Sequence, residues 1–211
     1  RGWNYELGLR GDKVAHRVTW HWDVSLYYAR LRNELLSTRN LDPSTSSNTS
    51  FLTGNAGRTT HAGVEALLRV AFAVGAGGDH IKPLISATYN NFFFDDNTSF
   101  GDNRMPVVPN YAIHGELIYD SASGFYGGPT FDFVGARYGD FANRYRVDAY
   151  QLVGLRTGYQ HGHWEVFAEG RNLAGSNYVA NVSPVARADA NSDILMPGAP
   201  RSVYVGMRWR Y

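Results

Sequence analysis

Apolar side chains recur at every second position through one segment of this chain after another. In the closing stretch Val203, Val205, Met207, Trp209 and Tyr211 fall on one face of an extended segment, and Ser202, Tyr204, Gly206, Arg208 and Arg210 fall on the other. Residues 5–11 set Tyr5, Leu7 and Leu9 against Glu6 and Arg10. Residues 20–36 set Trp20, Trp22, Val24, Leu26 and Tyr28 against His21, Asp23, Ser25 and Tyr27. Residues 59–72 place Val64, Ala66, Leu68, Val70 and Phe72 opposite Glu65 and Arg69, and residues 110–120 place Tyr111, Ile113, Leu117 and Tyr119 opposite His114, Glu116 and Asp120. A period of two is the signature of strands with two unlike faces, and no segment sustains the helical period.

Further strands are expected over 82–94, 125–140, 147–160 and 164–173, which with the closing one makes nine. Pro129 is awkward in the 125–140 segment because it has no N–H for the ladder. The connections alternate in length. "GDK" at 11–13, "VGAGGDH", "SASG" and "HGH" are short; "STRNLDPSTSSNTS", "DDNTSFGDNRMPVVP", "DFANRYR" and "VSPVARADANSDILMPGAP" are long. Short turns at one end and long loops at the other are the pattern of an outer-membrane barrel, with the turns in the periplasm and the loops outside.

A soluble β-sandwich binding module also has period two. It gives no reason for Trp20, Trp22, Tyr111, Tyr119, Trp164, Trp209 and Tyr211 to cluster at the ends of the apolar stripes, where a barrel forms aromatic girdles at the lipid interfaces. Several segments also reach the about 9 to 11 residues that a bilayer-crossing strand requires. The mean hydropathy of -0.34 suits a barrel that turns only alternate residues to lipid. No apolar run is long enough for a transmembrane helix. The opening "RGWNYELGLRG" has neither an initiator Met nor a hydrophobic leader, so the chain is expected to be a mature product or a piece of something longer. With 20 basic against 19 acidic residues there is no surplus of cations for nucleic acid, and zero cysteines exclude disulfides and thiolate chemistry.

An odd number of strands leaves two readings, because bacterial single-chain barrels close with an even count. Either the chain is a small closed barrel of eight or ten strands with an enzymatic or structural role, or further strands precede it.

Particular motifs resemble one family. "GAPRSVYVGMRWRY" (198–211) looks like the last strand of TonB-dependent outer-membrane receptors, with its Gly-x-Pro-Arg lead-in. "EVFAEGRNLAGSNYVANV" (165–182) is similar to the family's penultimate strand through Asn172, Leu173 and Tyr178. "NYELGLRGD", "WDVSLYYARLRNELL" and "RTTHAGVEALL" resemble its mid-barrel strands. The resemblance implies that residues 1–211 are the C-terminal part of an antiparallel up-and-down barrel of about 22 strands, lacking the plug domain and the first strands. It implies an outer-membrane receptor for a ferric siderophore or similar iron chelate, driven by the TonB complex through the absent N-terminal region, and not an enzyme. It also implies that Met207, Trp209 and Tyr211 belong to the signal read by the barrel-assembly machinery.

Within that reading Glu6, Arg10, Glu65, Arg69, Glu116, Asp132, Arg156, Glu165, Glu169 and Arg208 face the lumen, toward plug and water. Arg104, Arg144, Arg146 and Arg187 lie in loops on the side where an anionic chelate arrives, and a guanidinium suits bidentate carboxylate binding; ordinary surface charge is the alternative. No metal site or cofactor is expected. His161 and His163 have no carboxylate or cysteine cluster with them, and "DDNTSFGDN" does not place a glycine and a terminal glutamate at the EF-hand positions and is expected to be a solvated loop. Arg10-Gly11-Asp12 is expected to be turn chemistry, and no Gly-x-Ser-x-Gly elbow occurs.

Overall fold

A computed structural model describes residues 1–39 and 51–210. The chain is all β among these residues. Its elements begin with β1 (Gly2–Ala15), β2 (Val18–Arg32), β3 (Leu35–Arg39), β4 (Phe51–Asn55), β5 (Arg58–Val74) and β6 (Asp79–Phe94). There follow β7 (Tyr111–Asp120), β8 (Phe125–Val134), β9 (Arg137–Tyr138), β10 (Arg146–Val147) and β11 (Tyr150–His161). The last are β12 (Trp164–Arg171), β13 (Val179–Val182), β14 (Leu195–Pro197) and β15 (Ser202–Trp209).

Nine of these form one antiparallel meander in the order β1-β2-β5-β6-β7-β8-β11-β12-β15. The other six pair two by two, β3 with β4, β9 with β10 and β13 with β14, all within the long connections. The register keeps like with like. Leu9, Val24 and Ala66 stand in line across β1, β2 and β5, as do Leu7, Leu26, Val64 and Tyr89 through β6. At the other side Val166 faces Met207 and Ala168 faces Val205. A slip of one residue would send every such row to the polar face.

No described residue packs against this apolar face. Val203, Val205 and Met207 are 70%, 75% and 65% exposed, and Leu26, Ile85 and Leu155 in the interior of the sheet are still 50%, 51% and 46% exposed. A sandwich would seal these side chains, so the sandwich reading is excluded. The sheet is open, since β1 and β15 do not pair with each other, so a small closed barrel is excluded as well. Aromatics collect toward both ends of the apolar face. Trp164 and Trp209 meet edge-on at 4.4 Å and Trp20 meets Phe72 at 6.3 Å near the turns, while Tyr5 pairs with Tyr28 and Tyr89 with Tyr111 toward the long connections.

Several boundaries differ from the expectation. Gly11, Asp12 and Lys13 are strand, paired with Trp22, His21 and Trp20, and the chain turns at His16–Arg17, where His16 takes a φ of 48°. Arg10-Gly11-Asp12 is therefore not a turn, and Asp12 accepts from His21 Nδ1 at 2.7 Å. Asn33, at φ 59°, ends β2 and splits the long 20–36 segment. The 125–140 segment stops at Val134, and its last residues turn away to pair as β9.

The packed apolar interior lies in the long connections. Phe94, 1% exposed, packs with Ala56 and Phe141, and the Phe100 ring meets both phenylalanines at a tilt, with centroids 5.5 and 5.6 Å away. "DDNTSFGDN" is thus folded rather than merely solvated; Asn97 Oδ1 accepts from the amides of Ser99 and Phe100 at 2.9 and 3.0 Å. A second cluster joins Val147, Val182, Val185 and Ile194. Between them sits Asp140, fully buried, whose carboxylate accepts from the amides of Arg144 and Tyr145 at 2.9 Å and of Ala188 at 3.1 Å. A buried carboxylate demands such donors, and here they tie residues 135–149 to residues 172–201.

Candidate functional site: the polar wall and its rim

Alternate residues opposite the apolar stripe make a charged wall. Glu6, Arg10, Glu65, Arg69, Glu116, Asp132, Arg156, Glu165, Glu169 and Arg208 all lie on this face by register. The wall is concave, because one hollow is lined by Thr19 of β2, Glu116 of β7, Arg156 of β11 and Arg210 beyond β15. Its charges toward β7–β15 are cross-linked. Glu165 accepts from Tyr126 Oη at 2.8 Å, Arg208 at 3.2 Å and Arg210 at 2.6 Å, so Arg208 of β15 and Arg210 just beyond it share one carboxylate. His114 bridges Asp132 at 2.7 Å and Glu116 at 3.3 Å, and Arg156 approaches the same glutamate at 3.6 Å. Lys82 pairs with Asp120, and Arg171 grips Glu169 through two nitrogens at 2.7 and 3.1 Å.

Above this wall, at the long-loop end, the connections build a second hollow. It is lined by Asn90 and Phe92 of β6, by Arg104, Met105, Val108 and Asn110, and by Ala136, Arg137, Tyr138 and Arg146. Three arginines line it and no carboxylate does. Each is fixed by its backbone or its own guanidinium. Arg104 donates its amide to Asn143 Oδ1 at 2.8 Å, and Asn143 Nδ2 returns a bond of 2.8 Å to the Arg104 carbonyl. Arg146 is held in register with Tyr138, next to the turn that Asp140 clamps. Arg137, 5% exposed, donates to the carbonyls of Val179 at 2.8 Å and Ala180 at 3.3 Å and lies 5.9 Å from the Tyr150 ring centre. Those partners are neutral, so its charge adds to that of Arg104 and Arg146. Asn90, which accepts from Tyr27 Oη at 2.6 Å and donates to Pro109 O at 3.1 Å, joins the hollow to the wall below.

Of the four loop arginines, Arg104 and Arg146 therefore come together; Arg144 and Arg187 are exposed and do not line the hollow. Sequence reasoning missed Arg137 because it fell inside the expected 125–140 strand. Gly135 and Gly139 on either side of it were the available sign of a break. Tyr211 lies outside the described residues; Met207 and Trp209 stand on the apolar face of β15. His161 and His163 flank the turn at Gly162, and His163 Nδ1 lies 2.9 Å from Arg210 O. Among the described residues no group of three potential ligands gathers for a metal ion.

The motif residues of the closing segments also meet. Asn172 donates to the carbonyls of Ser176 and Ala199 at 2.9 and 3.0 Å and accepts from the Ser176 amide at 2.8 Å. Gly198 donates its amide to Tyr178 O at 2.8 Å and lies against the ring of that tyrosine, where a Cβ would come within 2.1 Å of it. Arg201 reaches Ala174 O at 3.2 Å. These contacts close the last long connection onto the entry to β15.

Residues 1–173 match the family described as TonB dependent receptor-like, β-barrel. Among solved structures, the chain resembles the ferric yersiniabactin uptake receptor FyuA from Yersinia pestis, with 21% identity, a TM-score of 0.67 and coverage of 99% of this chain and 29% of that one. It resembles the ferric citrate transporter FecA in its unliganded form at 19% identity and a TM-score of 0.71, covering 97% and 30%. The copper transporter OprC matches at 13% identity and a TM-score of 0.68, covering 100% and 31%. At such identities the likeness is one of fold, and the cargo has to be argued from the site. The chain spans about three-tenths of the length of these structures.

Proposed function

Because this chain belongs to the TonB-dependent receptor β-barrel family, we propose that it supplies wall, lumen lining and capture rim to an outer-membrane receptor that imports a ferric siderophore or similar anionic iron chelate. The carrying observation is the hollow lined by Arg104, Arg137 and Arg146 with no carboxylate among its lining residues. On the wall Arg156, Arg208 and Arg210 each have a glutamate within 3.6 Å, while Arg10 and Arg69 have no ion pair among the described residues. An unmatched trio attracts an anion, and a planar guanidinium recognises carboxylate or catecholate oxygens through paired donors. Uptake draws on the inner-membrane TonB complex through residues upstream of this chain. The wall below, with Glu65, Arg69, Glu116, Arg156, Glu165 and Glu169, receives the plug. In lipid the outer edges of β1 and β15 require partner strands, since unpaired backbone groups have no water there, and strands of the same barrel supply them. The molecule is a transporter, inserted in the outer membrane by the assembly machinery through Met207, Trp209 and Tyr211.

The test is binding of a panel of ferric chelates of differing net charge to the gene product that carries this chain. Substituting Arg104→Gln or Arg146→Gln is expected to weaken the anionic chelates by about tenfold each, equal to one charge-assisted contact of about 1.4 kcal/mol, and to leave neutral chelates unchanged. Equal affinities for all charges, or no effect of either substitution, would remove this hollow from the uptake path.

A further inference from the structure

All three arginines of the rim hollow hang on one turn. Arg137 of β9 and Arg146 of β10 flank it, held by the pairing of Arg137 with Val147 and of Arg146 with Tyr138. Across its base Gly139 donates its amide to Tyr145 O at 2.8 Å, and within it the Asp140 carboxylate takes the amides of Arg144 and Tyr145. Arg104 belongs to a different connection, the one between β6 and β7. Like charges brought close together repel, so bonds other than ionic ones must draw Arg104 to the other two.

The backbone of Arg104 shows where those bonds come from. It forms a bridge with Phe93 of β6 in which the flanking residues make the hydrogen bonds, Phe94 donating to Asn103 O and Met105 to Phe92 O, both at 2.9 Å. In an antiparallel pair of that kind the N–H and C=O of the central residue point away from the partner strand. No strand among the described residues pairs with Arg104 on that outer side. The Asn143 side chain takes its place. Its Oδ1 accepts from the Arg104 amide and its Nδ2 donates to the Arg104 carbonyl, both at 2.8 Å, as the backbone of a neighbouring strand would. Beside it the Asn103 side chain donates to Phe141 O at 3.0 Å. Position 143 calls for asparagine on two counts. Its φ of 55° lies in the left-handed region that Asn tolerates better than most residues, and a short primary amide offers one donor and one acceptor side by side. An aspartate would set a carboxylate oxygen against the Arg104 carbonyl.

We propose that Asn143 is a positioning residue for anion capture, acting by fixing Arg104 beside Arg137 and Arg146. It does not itself line the hollow. This rests on the proposed capture of an anionic chelate there and adds the residue that assembles the site.

The test uses the gene product that carries this chain, the panel of ferric chelates of differing charge, and Arg104→Gln as the reference. Asn143→Gly removes the side chain and keeps a backbone at ease with positive φ. It is expected to weaken the anionic chelates by about tenfold, as Arg104→Gln does, and to leave neutral chelates unchanged. The double variant is expected to bind no more weakly than Arg104→Gln alone, since a residue that acts only through another adds nothing once that other is gone. A second readout needs no chelate: amide exchange at Arg104 is expected to be about tenfold faster in Asn143→Gly, with β7 exchanging at the parental rate, which separates local release from misfolding. The inference is overturned if Asn143→Gly binds the anionic chelates as tightly as the parent, if it weakens neutral chelates equally, if the Arg104 amide exchanges at the parental rate, or if the two losses multiply to about a hundredfold in the double variant. An effect of Arg104→Gln with none of Asn143→Gly overturns this inference alone. No effect of Arg104→Gln removes the capture reading, and this inference with it.

Discussion

Gly206 has no room for a side chain. A Cβ there would come 2.4 Å from the Phe167 ring, which lies over the glycine from the neighbouring strand, in register with it. The same ring sits 5.8 Å from the Arg208 guanidinium, which Glu165 holds from the other side. Thus the two arginines that look misplaced on a strand of a thin sheet are seated by one carboxylate and one aromatic face. Gly206→Val is expected to destabilise β15 by about 1–3 kcal/mol through overpacking, read as a lowered unfolding midpoint in detergent, and Phe167→Ala in the same chain is expected to restore part of it. If the valine variant unfolds at the parental midpoint, the ring does not confine this position.

The connection after β6 is tied to β2 by charge. The Arg30 side chain donates to Asp95 at 3.0 and 2.5 Å. That hydrogen bond foremost, with the positive charges of Arg30, Arg58 and Arg32, holds the Asp95 carboxyl below its ordinary value of 3.8. A depressed carboxylate stabilises the folded arrangement above its unfolded pKa, and the contribution disappears as pH falls through the lower folded value. Amide exchange in residues 95–101 should therefore be flat from neutral pH down to about 4 and, after correction for intrinsic rates, rise below it; in Asp95→Asn the rise should be absent. A parent protein whose protection in this segment is unchanged in strong acid would contradict the coupling. The element bounds carry a related lesson. Period two located all nine long strands, but not Asn33 or the two-residue β9, since a break in a ladder depends on what lies beside it rather than on alternation.

Across the whole sheet, one face stays unpacked from β1 to β15, and the buried apolar residues concentrate in the loop layer at one end. An exposed apolar face that runs over nine strands is unusual for a soluble monomer and fits the bilayer setting proposed above. Tryptophan emission is expected to be strongly quenched by lipids brominated on the acyl chain, because Trp3, Trp20, Trp164 and Trp209 all stand on this face. Unquenched emission from a protein that stays monodisperse in plain buffer would refute the membrane assignment. The alternation of apolar and polar residues, with short and long connections in turn, was enough to specify an antiparallel meander with one face for lipid and one for water, because strand geometry assigns faces by residue parity alone. Which arginines share a hollow, why Arg137 is buried, how Asp140 binds two connections together and where Asn143 meets Arg104 were decided by the tertiary structure. Those juxtapositions arise between residues distant in the chain, whose approach depends on register and loop packing that no local pattern encodes.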